Sequence, residues 1–61
     1  MKKSELEKEL RDCGWWLARQ GSRHEVWTNG KVTEAVPRHK EIDEHTARSI
    51  VRTAKANRVN P

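Results

Sequence analysis

Arg23-His-Glu-Val-Trp-Thr-Asn-Gly-Lys-Val-Thr-Glu-Ala-Val36 is the stretch on which the fold of this chain turns. Two runs rich in β-branched and aromatic residues flank Asn29-Gly30, the two-residue pattern that favours a type I′ hairpin, because both central residues tolerate positive φ. Such a loop sets Trp27 opposite Val32, Val26 opposite Thr33 and His24 opposite Ala35. Alternation then sorts the side chains. Trp27, Val32 and Val36 form the more apolar set, and His24, Val26, Thr33 and Ala35 occupy the other face, with the buried side left open by the pattern alone. Pro37 cannot donate to a ladder and ends the strand.

Upstream of the hairpin, Trp15 to Gln20 reads as a further strand, too short for a helix and broken by Gly21-Ser22. Trp15 and Trp16 are adjacent, so they point to opposite faces and one of them is left exposed. Before them, Ser4-Glu5-Leu6-Glu7 is a capping-box pattern that predicts a helix start. Leu6, Leu10 and Cys13 make its apolar stripe, and Gly14 is placed for a left-handed cap. Downstream, Arg38 to Glu41 form a charged connection. Ile42-Asp43 reads as a staple residue and an N-cap, followed by the stripe Ala47, Ile50, Val51 and Ala54 of a second helix that fades near Asn57. Residues 58–61 are expected as a frayed tail.

The order is helix, three strands, helix. Both helices carry a single apolar stripe and need the same sheet face to bury it, so the predicted architecture is α+β: a two-layer sandwich of a three-stranded antiparallel sheet with two helices on one face. This layout matches the double-stranded-RNA-binding fold, although fold alone does not assign function.

Bulk properties narrow the chemistry. Sixty-one residues make one domain, 1–61, too small for a large buried cavity, so any active site is shallow and on the surface. Thirteen Lys and Arg against nine Asp and Glu give a net charge of +4, which suits an anionic partner and equally a solvated shell. The single Cys13 excludes an internal disulfide framework and a Cys-rich zinc site, fits a reducing cytoplasm, and reads as a small core hydrophobe. No apolar run approaches the ~20 residues that span a bilayer, and Lys2-Lys3 are not followed by an apolar leader segment. A soluble, unexported protein without membrane contact is expected.

Met1-Lys-Lys-Ser-Glu-Leu6, Gly14-Trp15, Arg19-Gln-Gly-Ser-Arg-His24 and Val36-Pro-Arg-His39, in this order and at this length, resemble the HicA toxins of bacterial HicAB toxin–antitoxin pairs. The resemblance implies a double-stranded-RNA-binding-like fold, ribosome-independent cleavage of mRNA, and silencing by a HicB-type antitoxin that covers the active surface. It also implies that His24, the histidine of Gly-Ser-x-His, is catalytic. Two positions depart from many relatives. Arg23 stands where they have a second histidine, and Glu25 stands where they have an apolar residue; Glu25 either tunes the imidazole or faces away from it.

From spacing alone, His24 reads as an ordinary polar residue on a solvated strand; the resemblance reverses that reading. Imidazole takes and gives a proton near neutrality, and RNA brings its own nucleophile in the 2′-hydroxyl, so cleavage needs two proton transfers and positive charge on the phosphate. Arg19, Arg23 and Arg38 are the candidates for that charge, with Gly21 and Ser22 allowing close backbone approach and His39 and Lys40 facing the RNA at the strand exit. Trp15, Trp27 and His24 are expected in the antitoxin contact, with stacking on a base as the alternative role for the exposed tryptophan. No cofactor or metal is expected, since a His24, His39, Glu25 set lacks close ligand spacing. On the second helix, Arg48, Arg52 and Lys55 form a basic stripe that suits either phosphate or water. His45 lies in that helix's first turn. The rival readings are a non-catalytic RNA-binding module of the same fold and a pure protein-interaction domain. Ile42-Asp-Glu44 opens the second helix with acid where phosphate would sit, which counts against the first rival.

Overall fold

A computed structural model describes residues 1–59 of the chain. The elements are α1 (Lys3–Asp12), β1 (Trp16–Gln20), β2 (His24–Thr28), β3 (Thr33–Pro37) and α2 (Glu44–Ala56). The strands form one antiparallel sheet in the order β1-β2-β3. One core joins Leu6, Leu10 and Cys13 of the first helical segment, Trp15, Trp27 and Val36 from the sheet side, and Ile42, Ala47, Ile50 and Ala54 around α2. Both helices therefore cover one sheet face, and the predicted α-β-β-β-α sandwich is the observed one.

Apart from Ser4 and Asp12 at its ends, α1 is built from Lys, Glu, Leu and Arg, all strong helix formers. Its start differs from the capping box expected at Ser4. The N-cap is Lys2, in extended conformation and with no side-chain cap, because the chain start pairs with the segment before α2. The Lys3 amide donates to the Lys40 carbonyl at 2.8 Å, the Ile42 amide to the Met1 carbonyl at 2.8 Å, and the terminal amine to the Ile42 carbonyl at 3.0 Å. Backbone from a distant segment thus takes over part of what the capping side chain was expected to do. Glu7, freed from that task, reaches Lys3 Nζ at 2.6 Å.

Gly14 has φ +84, the left-handed cap read from the sequence. The Trp15 amide donates to the Leu10 carbonyl at 3.0 Å and closes the helix end. A Cβ at Gly14 would lie 2.8 Å from the Val59 carbonyl oxygen, and the Val59 amide donates to the Cys13 carbonyl at 2.9 Å. In the segment expected to fray, Val59 is thus tied to the end of α1; Asn60 and Pro61 lie outside the described residues.

The β2–β3 register differs from the two-residue hairpin. Trp27 lies opposite Glu34, Thr28 opposite Thr33, and His24 opposite Pro37, leaving a four-residue loop, Asn29 to Val32. The cause is side-chain chemistry at the turn. Asn29 Oδ1 accepts from the Lys31 and Val32 amides at 2.8 and 2.7 Å, while Thr28 Oγ1 donates to the Val32 carbonyl at 2.8 Å and accepts from the Gly30 amide at 3.0 Å. Only Gly30 has positive φ there, whereas a type I′ turn requires it at Asn29 too. A slip of two residues keeps every side chain on its own face. Trp27 and Val36 are accordingly buried, and His24, Thr33 and Ala35 lie exposed on the open face.

α2 begins as read: Asp43 is the N-cap, and its Oδ2 accepts from the Thr46 amide at 3.2 Å. Ala47, Ile50 and Ala54 are buried and Val51 packs at the margin. Each fully buried Leu, Val or Ile contributes about 1.5–3 kcal/mol. Arg11 adds a guanidinium 5.4 Å from the Trp27 ring centroid.

Candidate functional site

His24 is the first residue of β2, exposed on the sheet face that no helix covers. The turn before it is fixed by backbone. The Gly21 amide donates to the His24 carbonyl at 2.8 Å, and a Cβ at Gly21 would lie 2.8 Å from that same oxygen, so only glycine fits without a shift. Arg38 clamps the turn from β3's exit: its amide donates to the Arg23 carbonyl at 3.2 Å and its Nη1 to the Gly21 carbonyl at 2.9 Å.

Arg19 reaches this face through an irregularity. Strict alternation from Leu17, opposite Trp27, would turn Arg19 toward the helices. The β1–β2 register instead slips by one residue between Leu17 and Arg19, so Arg19 sits opposite Val26 on the His24 side. The sequence reading contained no such bulge.

Two shallow depressions meet at His24. One is lined by Arg19, Gly21, Ser22, Arg23, His24, Val26 and Ala35, the other by Ser22, Arg23, His24, Arg38 and His39. Neither lining contains a carboxylate. The expected site residues Arg19, Gly21, Ser22, Arg23, Arg38 and His39 are therefore brought together around His24. Lys40 is not among them; with Lys2, Lys3 and Arg38 it lines a third depression on the far side of Arg38. Glu7 and Glu41 line it too, and the nearness of Lys2 and Lys3 to Lys40 was not legible in the sequence because it depends on the non-local pairing of the chain start.

Glu25 points the opposite way from His24 and is 4% exposed. It accepts from Lys3 Nζ at 3.0 Å and from Trp27 Nε1 at 3.2 Å. Burial by itself would raise its pKa, but the hydrogen bonds from Lys3 and Trp27 and the positive charges of Lys3 and Arg38 outweigh it and hold the carboxyl below its ordinary value. Burial likewise opposes the Lys3 ammonium, and Glu7 and Glu25 overcome that and raise its pKa. Glu25 thus braces β2 from beneath and is not placed with His24 and His39; among the described residues no group of three or more His, Cys, Asp and Glu could hold a metal ion.

The expected tryptophan contacts need correction. Trp15 and Trp27 are 2% and 1% exposed, because both fill the small core under the helices, so neither presents a surface to a partner. The exposed ring is Trp16, at 49%, beside Leu17 at 38% on the edge strand β1. Trp16 lies opposite Thr28, at the end of β2 remote from His24 and about 13 Å along the strand. The α2 stripe lies in the helix layer: Arg48 is 3.9 Å from Glu44 and Lys55 is 4.0 Å from Glu9, exposed pairs of little energetic weight. His45 is exposed in the same helix.

A shallow basic face with His24 where the two depressions meet and His39 lining one of them accords with the resemblance carried by Gly-Ser-x-His and Val-Pro-Arg-His. The family model described as HicA toxin of bacterial toxin-antitoxin matches residues 4–56, which takes in all three strands and nearly all of both helices. The chain belongs to the HicA toxin family. No curated protein and no solved structure gives a significant match. Among the described residues of this HicA chain, no helix is long and apolar enough to cross a membrane.

Proposed function

We propose that this HicA protein is an endoribonuclease toxin of the bacterial cytoplasm that cuts mRNA without the ribosome, with His24 as a catalytic proton-transfer group, and that a HicB-type antitoxin silences it by covering the same face. The observation that carries this reading is the placement of His24: exposed on the uncovered sheet face, where two depressions meet that are lined by Arg19, Arg23 and Arg38 and by no carboxylate. This placement supports a transesterification of RNA. The 2′-oxygen attacks phosphorus, the P–O5′ bond breaks, and guanidinium groups offset the charge that builds on the phosphoryl oxygens. An open site suits a substrate that brings its own nucleophile and much of its binding surface.

The test is incubation of purified protein with end-labelled single-stranded RNA in the absence of ribosomes. Cleavage to 2′,3′-cyclic phosphate and 5′-hydroxyl ends is expected, falling by about 10²–10⁴-fold in His24→Ala. Cleavage undiminished in that variant removes His24 from the chemistry. Binding without cleavage by the wild type would instead favour an RNA-binding module, which the exposed acidic start of α2, Asp43 and Glu44, does not support. Because imidazole and guanidinium groups carry the reaction in this reading, the rate in excess EDTA equals that without it, and a loss restored by a divalent cation would refute that part.

A further inference from the structure

Cleavage through the 2′-hydroxyl moves two protons, one off the nucleophile and one onto the leaving 5′-oxygen, and His24 in one protonation state performs one of these transfers. Besides the two histidines, the two depressions at His24 are lined by guanidinium, hydroxyl and alkyl side chains and by glycine, side-chain types that do not act as proton shuttles. The one other imidazole in those linings is that of His39, a side-chain type that both takes and gives a proton in catalysis.

We propose that His39 is the second proton-transfer residue of this site, working with His24 across the depression they share; the proposal rests on the nuclease reading above. The segment that carries His39 is tied to the turn that carries His24. His24 and Pro37 are register partners, the Arg38 amide donates to the Arg23 carbonyl at 3.2 Å, and Arg38 Nη1 donates to the Gly21 carbonyl at 2.9 Å. Arg23 and Arg38 line the depression together with both imidazoles, which suits a phosphate held between two proton-transfer groups. The charged groups lining the shared depression are Arg23 from the turn and Arg38 from the exit of β3, and Arg19 from β1 lines the adjoining depression at His24. Lys40 and Glu41, which follow His39, line the neighbouring depression with Lys2 and Lys3, and Glu25 is turned to the other face.

The step balances without a further reactant. One neutral imidazole takes the 2′-hydroxyl proton as the O2′–P bond forms. The other, as imidazolium, gives its proton to O5′ as the P–O5′ bond breaks, leaving a 2′,3′-cyclic phosphate and a 5′-hydroxyl.

The experiment is single-turnover cleavage by the full chain of one RNA oligonucleotide whose scissile linkage carries either oxygen or sulfur at the 5′-bridging position. A thiolate leaves without a proton, so sulfur relieves the need for an acid. On the oxygen substrate, wild type is expected to show a rate that rises and then falls with pH. His39→Ala and His39→Gln, both folded by circular dichroism because the site is exposed, are expected to lose about a hundredfold or more and one limb of that profile. On the sulfur substrate, one of His24→Ala and His39→Ala regains nearly the wild-type rate and the other does not; the rescued position is the acid and the other the base. A His39→Ala protein with wild-type rate and both limbs overturns the proposal, as does a loss that sulfur repairs in neither variant or in both. Wild type that cuts neither substrate would refute the nuclease reading itself, a result distinct from failure of His39 alone.

Discussion

His24 and Glu25 are neighbours in the chain and belong to different halves of the molecule: one faces open solvent, the other lies under the helices in an ion pair with Lys3. The pair has a readable pH signature. Glu25's pKa is depressed below its ordinary 4.5, so its stabilisation is complete above that value and is lost as pH falls through the folded value. Lys3's pKa is raised above 10.5, so its stabilisation is complete below that value and is lost as pH rises through the folded one. Between these limits the pair contributes fully. Lys3→Met leaves Glu25 buried with only Trp27 to satisfy it and is expected to cost about 2–4 kcal/mol. Lys3→Met with Glu25→Gln should recover part of that loss, since it removes the uncompensated charge while the amide oxygen still accepts from Trp27 Nε1. Thermal melts from pH 3 to 7 check the assignment: Glu25→Gln should flatten the acid limb, and a limb as steep as the wild type's would mean that another carboxylate carries it.

At the scale of elements, what the sequence made legible was whatever depends on local period. The stripes Leu6, Leu10, Cys13 and Ala47, Ile50, Ala54, the cap at Gly14 and the cap at Asp43 all stand where periodicity put them. The sorting of hairpin side chains into two faces was legible too, since a two-residue error in the register leaves facing unchanged, but which face is buried was not. The loop itself was misread because Asn29 works through its side chain rather than through positive φ. Nor could local pattern reveal the pairing of Met1 to Lys3 with Lys40 to Ile42, whose partners are distant in sequence, or the bulge that turns Arg19 to the His24 face, since alternation along one strand does not show a register shift against its neighbour. The loop makes a discriminating prediction. A type I′ turn would welcome Asn29→Gly, but here the change removes the acceptor for two amides and the bond from Asn29 Nδ2 to the Asn57 carbonyl at 2.8 Å. A loss of about 1–2 kcal/mol is expected, which lowers Tm by roughly 4–16 °C in a domain of this size. A variant as stable as the wild type would restore the two-residue turn.

On the scale of the whole molecule, the two sheet faces divide stability from recognition. The core lies between the sheet and the helices, and the proposed RNA-contacting groups Arg19, Arg23, His24 and Arg38 lie at the other face and its rim. Substitutions of Arg19 and Arg23 should therefore move stability by about 0.5 kcal/mol at most, whereas Arg38 also holds the Gly21 turn and should cost more. The same division separates the basic residues. A net charge of +4 would attract RNA to any side, yet Arg48, Arg52 and Lys55 belong to α2, in the layer across the sheet from His24. Counterion release distinguishes contact from mere attraction: each phosphate neutralised on a single strand adds about −0.7 to the slope of log affinity against log salt. Measured on an uncleavable 2′-deoxy oligonucleotide, the wild-type slope should be near −2 for contacts by Arg19, Arg23 and Arg38, and Arg19→Ala and Arg23→Ala should each reduce its magnitude by about 0.7. Replacing Arg48, Arg52 and Lys55 together with Gln should leave the slope where it was, while a slope that collapsed in that triple variant and survived in Arg19→Ala would put the nucleic acid on the helix layer and leave His24 without a substrate.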